Sequence, residues 1–412
     1  MVQRCHQTMK RCSHPVGGQR AASRVGILAT LAASALLTCS AAVSVGDAQL
    51  GGFFSQGYLH SSGTNYPVDT RGGTADFREM ALNVSMPVGA RLRLGAQAFA
   101  QKLGKYGDDK VILDWAVADY NVSTELGIRA GRVKLPGGLY NESLDLDLTR
   151  PFIFLPQAIY DVRLRDFNAS FDGGMLYGAP DLGRYGGIEY KAFYGRSRIR
   201  TEATSGVSDY FRNSGLFTEP EKAEMDALWG GALVWSTPVS GLRLSATLSQ
   251  MDGVQVSGPF AFMPVTTAVI ELGGWKRWVL STEYLVGDWT FAAEWKTEGG
   301  TATVSNAAIG MRDSSRSTMD GYYVSVARRL GDRVEVGGYV GRATGNTAQA
   351  GRTDSQDDYA LSVRFDLNEN VLFKVEGHLI DGTSQVFHVP GVENPNPEKN
   401  FGLFAAKVTF SF

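Results

Sequence analysis

From Gln49 to the last residue the chain alternates apolar and polar side chains in short runs. In RLRLGAQAFAQK, Leu92, Leu94, Ala96, Ala98 and Ala100 take one parity, and Arg91, Arg93, Gln97, Phe99 and Gln101 take the other. DDYALSVRFDLN sets Tyr359, Leu361, Val363 and Phe365 against Asp358, Ser362 and Arg364; WTFAAEWKTE sets Trp289, Phe291, Ala293 and Trp295 against Glu294 and Lys296. The final run, LFAAKVTFSF, places Phe404, Ala406, Val408, Phe410 and Phe412 on one face. A period of two is a strand with one face in apolar surroundings. The same pattern predicts strands near 53–61, 76–88, 110–121, 124–132, 167–177, 186–195, 227–236, 242–252, 275–284, 319–328, 334–341, 371–381 and 401–412, sixteen with the first three runs. PVTTAVIEL, at 264–272, is a candidate seventeenth, read here as loop because counting it breaks the rhythm of the connections.

That rhythm is the strongest signal. PVGA, NVS, TPVSG, LVGD, RLGD and DLNEN are tight turns, and between them come stretches of roughly seven to thirty-four residues. Tight turns at one end, long loops at the other and an even strand count are the requirements of a transmembrane barrel. In hydrocarbon a closed sheet pairs every backbone polar group and leaves no edge. The expected fold is therefore all-β, a transmembrane antiparallel β-barrel of 16 strands. Tyr120, Tyr190, Tyr194, Trp275, Trp278, Tyr284, Trp289, Trp295, Tyr322, Tyr359, Phe410 and Phe412 fall near strand ends, as aromatic girdles at the two membrane interfaces would. The competing class is a soluble barrel or sandwich, which would turn its polar parity outward.

The amino terminus is different in kind. Arg4, Lys10, Arg11, Arg20 and Arg24 precede the apolar run VGILATLAASALL, from Val25 to Leu37, and then small residues. This is the pattern of a secretory signal peptide, and the run is too short for a transmembrane helix, which needs about 20 apolar residues. The expected division is a cleaved signal over residues 1–48 and a barrel over 49–412, with cleavage after Ala42 as the alternative and Met9 as an alternative start. All three cysteines, Cys5, Cys12 and Cys39, precede that cut, so the mature chain would have no disulfide and no cysteine metal site. A lipid-modified Cys39 is disfavoured by Thr38 before it. Removing the leader takes five basic residues and the acid Asp47, shifting the net charge from −2 to −6 and giving nothing that calls for a nucleic-acid partner.

With the apolar parity assigned to lipid, the opposite parity carries Arg93, Arg129, Lys191, Arg243, Arg277, Lys296, Arg364, Lys374 and Lys407 alongside Glu79, Asp114, Glu125, Glu189, Glu283, Glu294, Glu335, Asp358 and Glu376. Charges are costly in lipid and cheap beside water, so this parity lines an aqueous space, wide enough at sixteen strands for a channel. The third long connection, VKLPGGLYNESLDLDLTRPFIFLPQAIYDVRLRD from Val133 to Asp166, is rich in Pro, Leu, Phe and Tyr. A connection of that length and composition packs against something and is a functional candidate.

GRVKLPGGLYNES and RPFIFLPQAIYD, together with the strand rhythm along the whole mature chain, resemble the Gram-negative outer-membrane porin superfamily. The PEFGG-type loop motif of the enterobacterial general porins is absent, and the second long loop, LGKYGDD, is short, which puts the subunit-latching contact of that loop in doubt. The resemblance implies a sixteen-stranded barrel in the outer membrane, reached through the periplasm, with the third long loop folded inward. It implies loop acids, Glu142, Asp145 and Asp147, set against basic wall residues, Arg93, Arg129, Arg132 and Lys134; Arg132 falls on the outward parity unless its strand ends or bulges first. It further implies that Phe412, Phe410 and Val408 form the signal read by the outer-membrane assembly machinery, and that the partners are lipid, lipopolysaccharide, small hydrophilic solutes and two further copies in a homotrimer. The activity implied is passive diffusion without cofactor or metal. The alternatives are a channel selective for an anion, sugar or organic acid, favoured if basic or aromatic residues line the loop in excess, and a non-conducting adhesin or structural barrel. Of the histidines past the leader, His60, His378 and His388, none sits in a nucleophile motif, and no phosphate loop or metal-ligand cluster is evident, so an enzyme is not expected.

Overall fold

The computed structural model describes residues 43–45, 47–345, 353–387, 394 and 396–412. Most of the segment expected to be a signal peptide, all three cysteines and His388 lie outside the described residues. Sixteen strands among the described residues form the barrel: β1 Ala48–Ser61, β2 Phe77–Val88, β3 Leu92–Leu103, β4 Ile112–Ser123, β5 Leu126–Lys134, β6 Ser170–Gly178, β7 Gly187–Arg196, β8 Ala227–Ser236, β9 Leu242–Asp252, β10 Met263–Val286, β11 Trp289–Asn306, β12 Met311–Leu330, β13 Val334–Gly345, β14 Ser355–Asp366, β15 Val371–Gly382 and β16 Asn400–Ser411. Each pairs antiparallel with the next, and β16 closes on β1 with Phe410 opposite Phe54 and Leu403 opposite Ser61. The last residue helps to seal that seam, because Phe412 and Gly52 exchange backbone hydrogen bonds of 3.0 and 3.1 Å. Short strands add to the sheet: Val43–Val45, which like Ala48 falls inside the expected leader of residues 1–48, pairs with the start of β1, and Val254–Phe260 continues β9 and pairs with Lys222–Glu224 and β10.

All sixteen predicted strands are present, but 264–272 is strand rather than loop. It is the first half of the 24-residue β10, and its companions β11 and β12 run to 18 and 20 residues. The rhythm survives because the extra length continues existing strands instead of adding one. A register shift between Gly273 and Lys276, with Gly274 at φ +59, bends the ribbon where it leaves the barrel. Two of the long connections are therefore mostly hairpin, and the one between β11 and β12 shrinks to Ala307–Gly310.

One parity of the closed sheet is apolar and exposed, including Leu82, Leu94, Leu233, Leu280, Val324, Val340, Leu361, Leu379, Phe404, Val408 and Phe410. A soluble barrel would show its polar parity there, so that class is excluded. Tyr120, Tyr194, Trp278, Trp289, Trp295, Tyr322 and Tyr359 are exposed as well. Trp275 departs from the expected girdle: it shares the parity of Arg277 and is buried against Met251 and Val254. Val324, between Ala293 and Val340 on neighbouring strands, is more than half exposed. Val324→Arg is expected to cost about 2–4 kcal/mol in a bilayer, the cost of Arg near the midplane; denaturant titration of the folded protein in vesicles checks it, and an unchanged midpoint would place this parity away from lipid.

Candidate functional site

The polar parity converges on the connection between β5 and β6, residues 135–169. Its sequence supplies alternating purposes: Pro136, Pro151 and Pro156 stop regular structure, Leu and Phe pack, and the acids and arginines between them bond to the sheet. Among the described residues it holds only short helical turns, at Asn141–Ser143, Asp147–Thr149, Val162–Leu164 and Arg165–Asn168.

Asp145 is held at its first anchor. Lys134 at the end of β5 lies 2.5 Å from Asp145 and 2.7 Å from Asp114, and Arg165 bonds the same two carboxylates, reaching Asp114 at 2.9 Å. Gln97 donates to both, at 3.0 and 3.1 Å. Burial pushes the Asp145 carboxyl up, but the Arg165 and Lys134 charges outweigh it and hold it well below the usual carboxylate range. Arg165 also lies 3.7 Å over the Phe99 ring.

Asp147 forms the second anchor, on the far side of the closing seam. It accepts from Thr409 at 2.6 Å and lies 2.8 Å from Lys407, 3.3 Å from Arg150 and 4.0 Å from Lys374. Lys374, completely buried, donates to the Asp147 and Phe152 carbonyls at 2.7 and 3.0 Å, and Lys407 also reaches Glu79 at 2.5 Å. Burial again opposes the charge on Asp147, and Lys407, Lys374 and Arg150 overcome it, so this carboxyl also stays well below the ordinary range.

Two strand carboxylates act as acceptor posts for the backbone of the connection. Glu376 on β15 accepts from the Ile153 and Phe154 amides at 2.7 and 2.9 Å, and His378, 2.9 Å from Glu376, is 2.9 Å from Asp358 on its other nitrogen. Glu294 on β11 accepts from the Leu139 amide at 2.8 Å, Tyr160 at 2.5 Å, Ser281 at 2.6 Å and Tyr323 at 2.9 Å. Gly138, at φ +71, comes so close that a Cβ would run into the Glu294 carboxylate and the Tyr160 hydroxyl. Arg364 and Ser362 on β14 donate to the Leu148 and Pro151 carbonyls at 2.7 and 2.9 Å.

Of the residues singled out in the sequence, Asp145, Asp147 and Lys134 meet in these anchors. Glu142 pairs with Lys191 on β7. Arg93 and Arg129 share Asp119, at 3.3 and 2.9 Å, and do not touch the connection's acids. Arg132 does not join them either: its register opposite Ala116 and Asp172 keeps it on the other parity, where it bonds Asp172 at 2.8 Å. Phe410 and Val408 are exposed on the apolar parity. The second long loop folds back onto its own chain, Lys105 reaching Asp209 at 2.6 Å and Gly107 donating to the Thr204 carbonyl. Arg150 and Arg165 were missed as anchors; for Arg150 the signal available was a lone charge beside Pro151 in the run Leu148 to Leu155, while Arg165 lies among Asp161, Arg163 and Asp166 and carried none. Lys374, Lys407, Glu294 and Glu376 were legible as polar-parity residues but not as partners of the connection.

The lowered Asp145 and Asp147 carboxyls fix an acid response. Such groups stabilise the folded arrangement above the ordinary Asp value of about 4, and that stability is lost only as the pH falls through their lowered values. The connection is expected to resist pepsin at pH 4 and to be cut only in stronger acid; cleavage already at pH 4 would contradict the ion-pair account.

No known protein-family profile matches the chain, and no curated protein matches it in sequence. Solved structures do match in fold. The outer membrane channel DcaP of Acinetobacter baumannii superposes with a TM-score of 0.54 at 10% identity, over 89% of this chain and 97% of that one. OmpF of Salmonella typhi gives 0.54 at 11% identity over 89% and 98%, and an anion-selective porin from Comamonas acidovorans gives 0.51 at 12% identity over 89% and 100%. A closed, even-stranded barrel with an apolar exposed face, matched along its length by these structures, gives this chain the fold of the sixteen-stranded outer-membrane porins.

Proposed function

We propose that this protein is a porin of the Gram-negative outer membrane, a water-filled channel for passive diffusion of ions and small hydrophilic solutes, with residues 135–169 lying across the lumen as its constriction. The observation that carries this is the spread of the anchors. One connection bonds Asp114 on β4, Glu294 on β11, Glu376 on β15 and Lys407 on β16. A piece of chain tied to strands that far around a closed ring has its natural course through the middle, where it narrows the opening without sealing it. Fixed charges beside such a gap set up a field that sorts solutes by charge and size.

The same reading makes residues 1–48 an export signal removed in the periplasm, the closing strand with Phe412, Phe410 and Val408 the element recognised during assembly, and a homotrimer the working form. The chain then does no chemistry and needs no cofactor. Liposomes carrying the folded protein are expected to swell in small sugars such as arabinose and progressively less in larger ones such as raffinose. Swelling indistinguishable from protein-free liposomes would favour a non-conducting adhesin or structural barrel.

A further inference from the structure

A space of about 910 Å3, open solvent included, lies between residues 135–169 and the polar parity of β9, β10, β11, β16 and β2. Its lining is unevenly charged. Arg150, Arg165, Arg277, Lys296 and Lys407 border it, against Glu79 and Asp161. Glu142, Asp145 and Asp147 are not part of its lining; Arg150, Arg165 and Lys407 are the anchor partners of the last two, which leaves Arg277 and Lys296 as the lining cations outside the anchors.

The register concentrates this charge on one wall. Ser249, Arg277 and Glu298 stand side by side on β9, β10 and β11, and Thr247, Val279 and Lys296 form the next rung of the same parity. Arg277 and Lys296 share a single carboxylate, Glu298, at 2.6 and 3.4 Å. Arg277 spends one further N–H on Asn168 at 2.8 Å, two of the five its guanidinium carries. Val279 packs with Ile159 and Tyr160 of the connection. Two cations with one shared counter-ion, two hydroxyls and an adjoining apolar floor therefore meet at one place.

We propose that this wall is a binding subsite for organic carboxylates with an apolar body of about ring size: the carboxylate on Arg277 and Lys296, assisted by the Thr247 and Ser249 hydroxyls, and the body against Val279, Ile159 and Tyr160. The inference rests on the channel reading for its route of access, and it refines that channel from a general diffusion pore to one that retains such anions in transit. Mixed-charge lining alone would pass ions without holding them; an apolar floor beside an unsated guanidinium is what distinguishes benzoate from chloride.

The test uses benzoate with the full folded protein. Binding is read by saturation-transfer NMR in detergent, and conduction by planar-bilayer recording in chloride. Benzoate is expected to bind, to reduce chloride current in a concentration-dependent way, and to lose at least about tenfold in affinity in Arg277→Gln or Lys296→Gln, the worth of a charge-assisted contact. Glu298→Gln, which releases both cations, is expected to tighten binding, a gain that misfolding cannot mimic. Equal affinity in the wild type and all three variants, or no binding, would overturn the subsite even if chloride currents are normal. Benzoate binding of the expected pattern with no current would uphold the subsite and sink the channel reading.

Discussion

Asp147→Ala is expected to release the second anchor and to be among the most damaging single changes in the chain. The substitution removes the carboxylate shared by Lys407, Arg150, Lys374 and Thr409; among the described residues it leaves Arg150 and Lys374 without a carboxylate and Lys407 with Glu79 alone, and Lys374 and Lys407 have almost no access to water. Removing one partner of a buried ion pair costs about 3–5 kcal/mol. The barrel ladder does not depend on Asp147, so the loss should fall on the connection. Proteolysis of the detergent-folded variant should cut within residues 135–169 under conditions that spare the wild type, while the barrel keeps its heat-resistant mobility. Asp147→Asn combined with Lys407→Met, which removes charge of both signs, should recover part of the protection. A single variant as resistant as the wild type would show that the ion cluster is not what holds the connection in place.

Glu376→Ala is the second large effect, and it works through the backbone. The Ile153 and Phe154 amides and a ring nitrogen of His378 lose their acceptor at a site that is 1% exposed. Each buried polar group left without a partner costs about 1–3 kcal/mol. Phe154, stacked on Phe77 with ring centroids 5.3 Å apart, should lose its fixed position. Amide exchange at residues 152–155, measured by mass spectrometry, should rise sharply. Glu376→Gln, which keeps one acceptor oxygen, should fall between the two; alanine and wild type exchanging alike would remove the acceptor-post account.

Strand parity was legible because it is local. Leu92 through Ala100 or Trp289 through Trp295 declare their faces within one strand, and closure follows from sixteen such strands with alternating connection lengths. The length of β10 was not legible: PVTTAVIEL reads as strand in isolation, and only its pairing with β11 and Val254–Phe260 shows that it extends the following strand. For the site, the sequence located the connection and the acids Asp145 and Asp147, but a separation of more than two hundred residues lies between Asp147 and its partners Lys374 and Lys407. No periodicity encodes which lumen cation meets which acid. The resemblance to porins also implied acids on the loop set against bases on the wall; here Asp145 and Asp147 are buried in ion pairs, Asp145 with Lys134 and Arg165 and Asp147 with Lys407 and Arg150.

A channel in this barrel requires a water-filled path beside residues 135–169. Single-channel recording of the folded protein, paired with a variant in which residues 139–164 are replaced by a short Gly-Ser linker, tests it most directly. Stable steps for the wild type, and larger steps for the variant, are the predicted result. A verified barrel that passes no current in either form would contradict it, and equal steps in both would leave a channel whose width this connection does not set.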